Sequence, residues 1–120
     1  MDKIYINNAA FYGYHGLFSE ENKLGQRFLV DLVLQCDLKV AGKSDRMEDS
    51  IDYGHIYSIL REIVEGKPFH LIEAVAEKIA EQLFESFSKL VAVTVKVYKP
   101  DPPIPGHYKS VAIEIFRERE

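Results

Sequence analysis

Alternating apolar and polar residues mark a long strand early in the chain. From Gln26 to Val40 the apolar side chains occupy every second position, at Phe28, Val30, Leu32, Leu34, Cys36 and Leu38. Successive side chains of a β-strand point to opposite faces, so this spacing places all of them on one face of a sheet. The pattern predicts a strand over residues 26–40.

Three further stretches predict strands. Residues 4–16 mix β-branched and aromatic side chains and end near glycine and histidine, which favours a strand with an irregularity at its end. Residues 91–99 and 110–118 alternate as residues 26–40 do. The residues predicted to share a face are Val91, Val93, Val95 and Val97 in the first stretch and Val111, Ile113 and Ile115 in the second.

Two stretches have the spacing of amphipathic helices. Residues 52–66 carry apolar side chains at helical intervals up to Gly66, which suits a helix end. Residues 71–87 repeat the pattern, with charged residues on the other side. The apolar positions are Ile56, Ile59, Leu60, Ile63 and Val64 in the first, and Leu71, Ile72, Val75, Ile79, Leu83 and Phe84 in the second.

The predicted order of elements is ββααββ. We expect a two-layer α+β fold, in which both helices cover one face of a four-stranded antiparallel sheet. At 120 residues and 47% hydrophobic composition, the chain suits a single domain over residues 1–120. The long strands leave sheet edges that subunits in a ring could pair, which favours a homo-oligomer.

Composition narrows the partners and the compartment. A formal net charge of -4 and a pI near 5.6 disfavour nucleic acid as a partner. No apolar run approaches the roughly 20 residues that cross a bilayer, so no membrane association is expected. Because Cys36 has no disulfide partner and the N-terminal stretch does not resemble a signal peptide, we expect a cytoplasmic protein.

Metal and nucleotide-cofactor motifs are missing from the sequence. The histidines stand apart, at His15, His55, His70 and His107, and none forms H-x-H, H-x-x-H or H-E-x-x-H. The single cysteine has no partner at zinc-site spacing, and there is no G-x-G-x-x-G or P-loop sequence. We therefore expect no metal and no cofactor.

Three polar residues are candidates for chemistry, although each also has a structural interpretation. Glu73 falls in the first turn of the second helix, where a carboxylate favours the positive helix end. Lys99 ends an apolar strand, directly before a segment that holds four of the five prolines. Tyr53 begins the first helix, where a tyrosine is more often a packing residue.

Four motifs together resemble the dihydroneopterin aldolase family of the folate pathway. They are "FYGYHGLFSEENKLGQRF" (11–28), "DSIDYGHIY" (49–57), "LIEAVAEKIA" (71–80) and "VKVYKPDPPIPGHYKSVAIEI" (95–115), and the resemblance covers nearly the whole chain. It implies the tunnelling fold, with ββααββ subunits in tetrameric rings that commonly stack as octamers.

The resemblance also implies an active site between subunits. Glu73 matches the carboxylate that grips the pterin, and the main chain of Ile72 belongs to the same pocket. Glu21 matches the glutamate near the polyol side chain, and Lys99 matches the active-site lysine. Tyr53 matches a tyrosine that packs against the pterin, handles a proton and comes from the neighbouring subunit.

The implied reaction is retro-aldol cleavage of 7,8-dihydroneopterin, without a Schiff base or a metal and with some 2'-epimerase activity. Lys99 is the candidate base, provided that burial or a nearby positive charge lowers its pKa. Three alternatives stay open: a dihydroneopterin-triphosphate epimerase, a zinc-dependent tunnelling-fold enzyme, and a non-catalytic pterin-binding or assembly protein. The four histidines and Asp52 have no assigned role.

Overall fold

Four antiparallel strands form one sheet in the order β1-β2-β3-β4. The computed structural model describes residues 1–120. The elements in chain order are β1 (Asp2–Gly13), α1 (Ser19–Leu24), β2 (Gln26–Cys36), α2 (Lys39–Ser44), a 3₁₀ turn (Met47–Asp49), α3 (Tyr53–Val64), α4 (Ile72–Ser86), β3 (Ala92–Lys99) and β4 (Val111–Glu118). The predicted ββααββ order is confirmed, with α1 and α2 as short additions in the connections.

The strand register brings four chain segments to one end of the sheet. Gly13 at the end of β1 pairs with Gln26 at the start of β2. Lys99 at the end of β3 pairs with Val111 at the start of β4. The connections that leave this end therefore share it, and their side chains can meet there.

One face of the sheet is covered by α3 and α4. The alternating residues of β2 from Phe28 to Cys36 are buried, as the spacing predicts, together with most of the predicted apolar residues of both helices. Ile63 and Phe84 are half-buried, and Leu71, the residue before α4, is exposed. They form one cluster of 22 buried residues. The two-layer α+β architecture is confirmed. None of the helices combines the length and apolar character needed to cross a membrane.

Several predicted boundaries were wrong. The second strand ends at Cys36, four residues before Val40. The reason is local, because the Leu38 N–H donates to the Asp2 carboxylate at 3.0 Å and the Lys39 N–H donates to Asp37 at 2.9 Å. These bonds take the backbone donors out of the ladder, and the chain turns into α2.

The first and third strands also differ from their predicted ranges. β1 runs from Asp2 to Gly13 rather than from residue 4 to residue 16, because the chain beyond Gly13 turns inward and buries His15. The irregularity lies mid-strand, where the register shifts between Ile6 and Ala9. Val91 precedes β3 and is exposed, whereas Val93, Val95 and Val97 are buried on one face.

Candidate active site

Four of the five predicted site residues line one cleft at the shared end of the sheet. Glu21, Ile72, Glu73 and Lys99 border a space of about 280 Å³, and the segment 102–104 forms another of its walls. We call this space the Lys99 cleft. Its lining joins α1, the start of α4, the end of β3 and the connection from β3 to β4.

A buried ion pair connects two sides of the Lys99 cleft. The Lys99 Nζ donates to Glu21 Oε2 at 2.7 Å, and the two side chains are only 15% and 6% exposed. The charged group beside Lys99 is thus a carboxylate, not the positive charge considered in the sequence analysis.

Glu21 is held from several directions. Its Oε2 also accepts a hydrogen bond from Gln26 Nε2 at 2.8 Å, and its Oε1 accepts one from the Phe18 N–H at 3.2 Å. Burial acts to raise the pKa of Glu21, but the hydrogen bonds from Lys99, Gln26 and Phe18 and the Lys99 charge outweigh it, so this pKa is lowered. Glu21 is therefore a fixed anion in the cleft wall.

Gly16 makes the position of Glu21 possible. Its φ of +154° lies in the region that favours glycine, and a Cβ added there would stand 2.4 Å from the Glu21 Cδ and 2.6 Å from the Glu21 Cβ. Any side chain at residue 16 would push Glu21 away from Lys99. The glycine in the motif "YHG" is thus explained by the ion pair.

The opposite wall is the N-terminus of α4. Ile72 is the first helical residue and is buried, while Glu73 follows in the first turn and is exposed. The first N–H groups of a helix have no intrahelical partner, so the main chain here can donate to a ligand. Glu73 makes no hydrogen bond or ion pair within the chain, which leaves both of its oxygens free to accept.

The proline-rich segment after Lys99 forms part of the cleft wall. Pro102, Pro103 and Ile104 line the space, and Tyr108 Oη donates to the Ile104 carbonyl. At the start of the segment, the Arg27 Nε lies 3.1 Å from Asp101 Oδ2. Proline restricts φ and lacks a backbone donor, so this connection is stiff and leaves the sheet directly after Lys99.

Tyr53 lies away from this cleft. It is the first residue of α3 and is 60% exposed. The neighbouring His55 contacts Phe87, the residue that caps the C-terminal end of α4, at 5.0 Å between ring centroids. Since α4 has 15 residues, its two ends are about 22 Å apart at 1.5 Å per residue, and Glu73 is at the other end. The structure does not bring Tyr53 and Glu73 of one chain together.

The histidines and Asp52 have separate surroundings. His15 is fully buried, His70 lines the Lys99 cleft, and His107 is an exposed residue of the proline-rich segment. The Asp52 carboxylate caps α3 by accepting from the Gly54 N–H at 2.8 Å. The structure contains no group of three or more His, Cys, Asp or Glu side chains arranged to hold a metal ion.

Three groups of the site framework were not predicted from the sequence: Gln26, the Phe18 N–H and His15. Gln26 is a polar residue at the start of a strand, where such residues are common. The Phe18 N–H is a backbone group, so the identity of the residue does not reveal its role. The only sequence signal for the burial of His15 is the glycine that follows it, and that signal is weak. The contacts that give these groups their roles are all made across turns or between elements.

The comparisons with known proteins agree with one another. The family described as "FolB: Dihydroneopterin aldolase" matches residues 4–116. The dihydroneopterin aldolase of Bacillus subtilis (strain 168) is 56% identical over 119 residues, which cover 99% of each chain. That of Streptococcus pyogenes serotype M1 is 50% identical, covering 99% of this chain and 100% of the relative.

A solved structure gives the same result. The structure of E. coli dihydroneopterin aldolase in complex with neopterin has a TM-score of 0.90 at 30% identity, covering 98% of this chain and 99% of the other. The fold is thus that of a class of small α+β enzymes with this sheet and helix arrangement. Within that class, the chain belongs to the dihydroneopterin aldolase family.

Replacing Gly16 tests the framework of the cleft. We expect Gly16→Ala to displace Glu21 from Lys99 and to lower the free energy of unfolding by about 1–3 kcal/mol, because the new Cβ meets Glu21 at a strained φ. A crystal structure and urea unfolding of the variant measure the two effects. Gly42→Ala is the control, since a Cβ there meets nothing within 4 Å. An unchanged Nζ–Oε2 distance in Gly16→Ala would contradict the explanation.

Proposed function

We propose that the Lys99 cleft is one half of an active site in which Glu21, Lys99, Ile72, Glu73 and a neighbouring subunit's Tyr53 carry the reaction. The activity is that of a dihydroneopterin aldolase, an aldehyde-lyase of folate biosynthesis that acts on a pterin. The observation that carries the proposal is the convergence of Glu21, Lys99 and Glu73 on one cleft.

Glu73 and the main chain at Ile72 recognise the pterin ring. A pterin presents an N3–H and a 2-amino group side by side, and a free carboxylate accepts both in a bidentate pair. The unpaired Glu73 at the rim of the cleft is suited to this role. The Burkholderia dihydroneopterin aldolase, solved bound to guanine, supports the interpretation, because guanine has the same pair of donors.

The other end of the cleft receives the side chain of the substrate. Glu21 accepts from hydroxyls of the polyol. Lys99, as a neutral amine that has lost its ammonium proton to solvent, removes the proton of the 2'-hydroxyl, directly or through a water. The bond between C1' and C2' then breaks, C2' leaves as the aldehyde carbon of glycolaldehyde, and the electron pair moves into the imine of the dihydropterin. Because that imine accepts the electrons, neither a Schiff base nor a metal is needed.

The reaction ends with a proton delivered to C1'. Tyr53 supplies it to the enol-like intermediate, which yields 6-hydroxymethyl-7,8-dihydropterin. If the intermediate instead recaptures glycolaldehyde on its other face, the side chain is epimerised at C2'. We therefore expect some 2'-epimerase activity alongside cleavage.

The position of Tyr53 favours an oligomer with shared sites. Since Tyr53 and Glu73 of one chain lie at opposite ends of α4, a second copy has to supply the tyrosine. Strands β1 and β4 each have one unpaired edge, and pairing them between copies would build a ring. We propose tetrameric rings that stack as octamers, in which residues 1–120 form one domain with one core.

Removing the base tests the assignment of Lys99. We expect Lys99→Ala to lower kcat by about 10²–10⁴-fold while the affinity for a pterin changes little, since the lysine acts on the polyol. Glycolaldehyde release and a pterin titration measure the two quantities. Lys96→Ala, on the same strand but outside the cleft, is the matched control. Near wild-type turnover in Lys99→Ala would exclude Lys99 as the base.

The same assay separates the rival functions. A non-catalytic pterin-binding protein would release no glycolaldehyde from wild-type protein. A dihydroneopterin-triphosphate epimerase would prefer the phosphorylated substrate, which competition between the two substrates reveals. Cleavage of free dihydroneopterin in preference to the triphosphate supports the aldolase.

Replacing the pterin carboxylate should act on binding. We expect Glu73→Gln to weaken pterin binding by about 10–100-fold, because an amide cannot accept with both of its ends and a charge-assisted pair is lost. A fluorescence titration with neopterin measures the dissociation constant. Glu81→Gln on the same helix, outside the cleft, should bind as wild type does. Equal affinities for all three proteins would remove Glu73 from ring recognition.

Mixed oligomers test whether the site is shared. Tyr53→Phe and Lys99→Ala should each be nearly inactive alone, but co-assembly should restore about one quarter of wild-type activity, because random mixing rebuilds that share of sites with both groups. Co-expression with two affinity tags isolates the hybrids for assay.

The control hybrid combines Lys99→Ala with Glu21→Ala. Both residues line the cleft of the same chain, so no mixture of these two variants can rebuild an intact half-site. Recovery in the control, or none in the Tyr53→Phe hybrid, would contradict a site formed between subunits.

A further inference from the structure

The segment that joins α3 to α4 is held by two consecutive residues of the β1–α1 connection. The Phe69 N–H donates to His15 Nδ1 at 2.9 Å, and the Gly16 N–H donates to the Phe69 carbonyl at 3.0 Å. The N–H and the carbonyl of Phe69 are therefore both hydrogen-bonded to residues 15 and 16. Phe69 lies three residues before Ile72, so this contact fixes the chain just before α4 begins.

His15 is well placed for this contact. Its Nε2 lies 2.7 Å from the Val64 carbonyl, so Nε2 carries the proton and Nδ1 is free to accept. The ring stacks on Phe69 with 5.8 Å between centroids and meets the edge of Phe28 at 5.2 Å. Burial lowers the pKa of His15, opposed by the Val64 hydrogen bond and assisted by the Lys99 charge, which favours the neutral ring.

The same two residues also contact the opposite wall of the Lys99 cleft. The Gln26 amide that donates to Glu21 also reaches the His15 carbonyl, at 3.4 Å, and Gly16 lies against the Glu21 side chain. His15 and Gly16 therefore join the pair Glu21–Lys99 to the start of α4.

We propose that His15 is a positioning residue for pterin recognition, holding Ile72 and Glu73 at the correct distance from Glu21 and Lys99. This inference rests on the proposed function of the cleft. His15 touches no substrate, and it acts through Phe69. This role explains why a polar ring is fully buried at this position, since an apolar side chain would be sufficient to fill the core.

The test compares His15→Gln with His15→Leu. Glutamine can accept from the Phe69 N–H and donate to the Val64 carbonyl, whereas leucine can do neither. We expect His15→Leu to raise the KM for dihydroneopterin and the dissociation constant for neopterin about tenfold, with a smaller change in kcat per folded site, because small displacements at a site are costly. His15→Gln should restore both constants to within about twofold of wild type.

A different result is expected if His15 is a core residue that does not position the cleft. In that case both variants would melt at lower temperature, but the folded protein would keep wild-type KM and neopterin affinity, and this outcome would overturn the proposal. The neopterin titration keeps the test independent of catalysis. If wild-type protein binds neopterin but releases no glycolaldehyde, the proposed function is contradicted. The effect of the two His15 variants can still be measured by neopterin binding in that case.

Wild-type protein provides a measurement that needs no variant. The proposal requires the Phe69 amide to be protected by His15, so hydrogen exchange followed by mass spectrometry should show slow exchange at Phe69 compared with Lys67 in the same connection. Rapid exchange at Phe69 would overturn the proposed contact even if both His15 variants failed to fold.

Discussion

The ion pair between Lys99 and Glu21 is the interaction on which this end of the molecule depends. It joins residues 78 positions apart and connects α1 to the last residue of β3. Buried ion pairs contribute little net stability, but a buried charge without its partner is costly. Gly16, Gln26 and the Phe18 N–H are arranged so that Glu21 can meet Lys99, which makes the pair an organising constraint more than a source of stability.

The cleft around this pair is assembled from parts of different rigidity. The sheet and the prolines after Lys99 hold the ammonium group, whereas the start of α4 depends on the connection that His15 contacts. In the proposed mechanism, this division separates the chemistry at the polyol from recognition of the pterin ring. In that mechanism the third part, Tyr53, comes from another copy, which would couple catalysis to assembly.

Much of the fold could be predicted because its signals are local. The alternation in β2 predicted its buried face correctly as far as Cys36, and the helical spacing predicted α3 and α4. The errors fall where side chains compete for backbone donors, as Asp2 does at Leu38, or where the chain turns into the core, as it does at His15. Short helices such as α1 lack enough residues to show a period.

The sequence by itself determined the order of the elements, the buried faces of β2, β3 and the two long helices and, through its motifs, the residues to examine. Side-chain spacing and turn chemistry are properties of neighbouring residues, so they can be read along the chain. Only the tertiary structure decided that Glu21, Lys99 and Glu73 face one cleft, that Tyr53 of the same chain does not, and that His15 holds Phe69. These relations depend on contacts between residues far apart in sequence, and strand register and helix packing create them only when the chain folds.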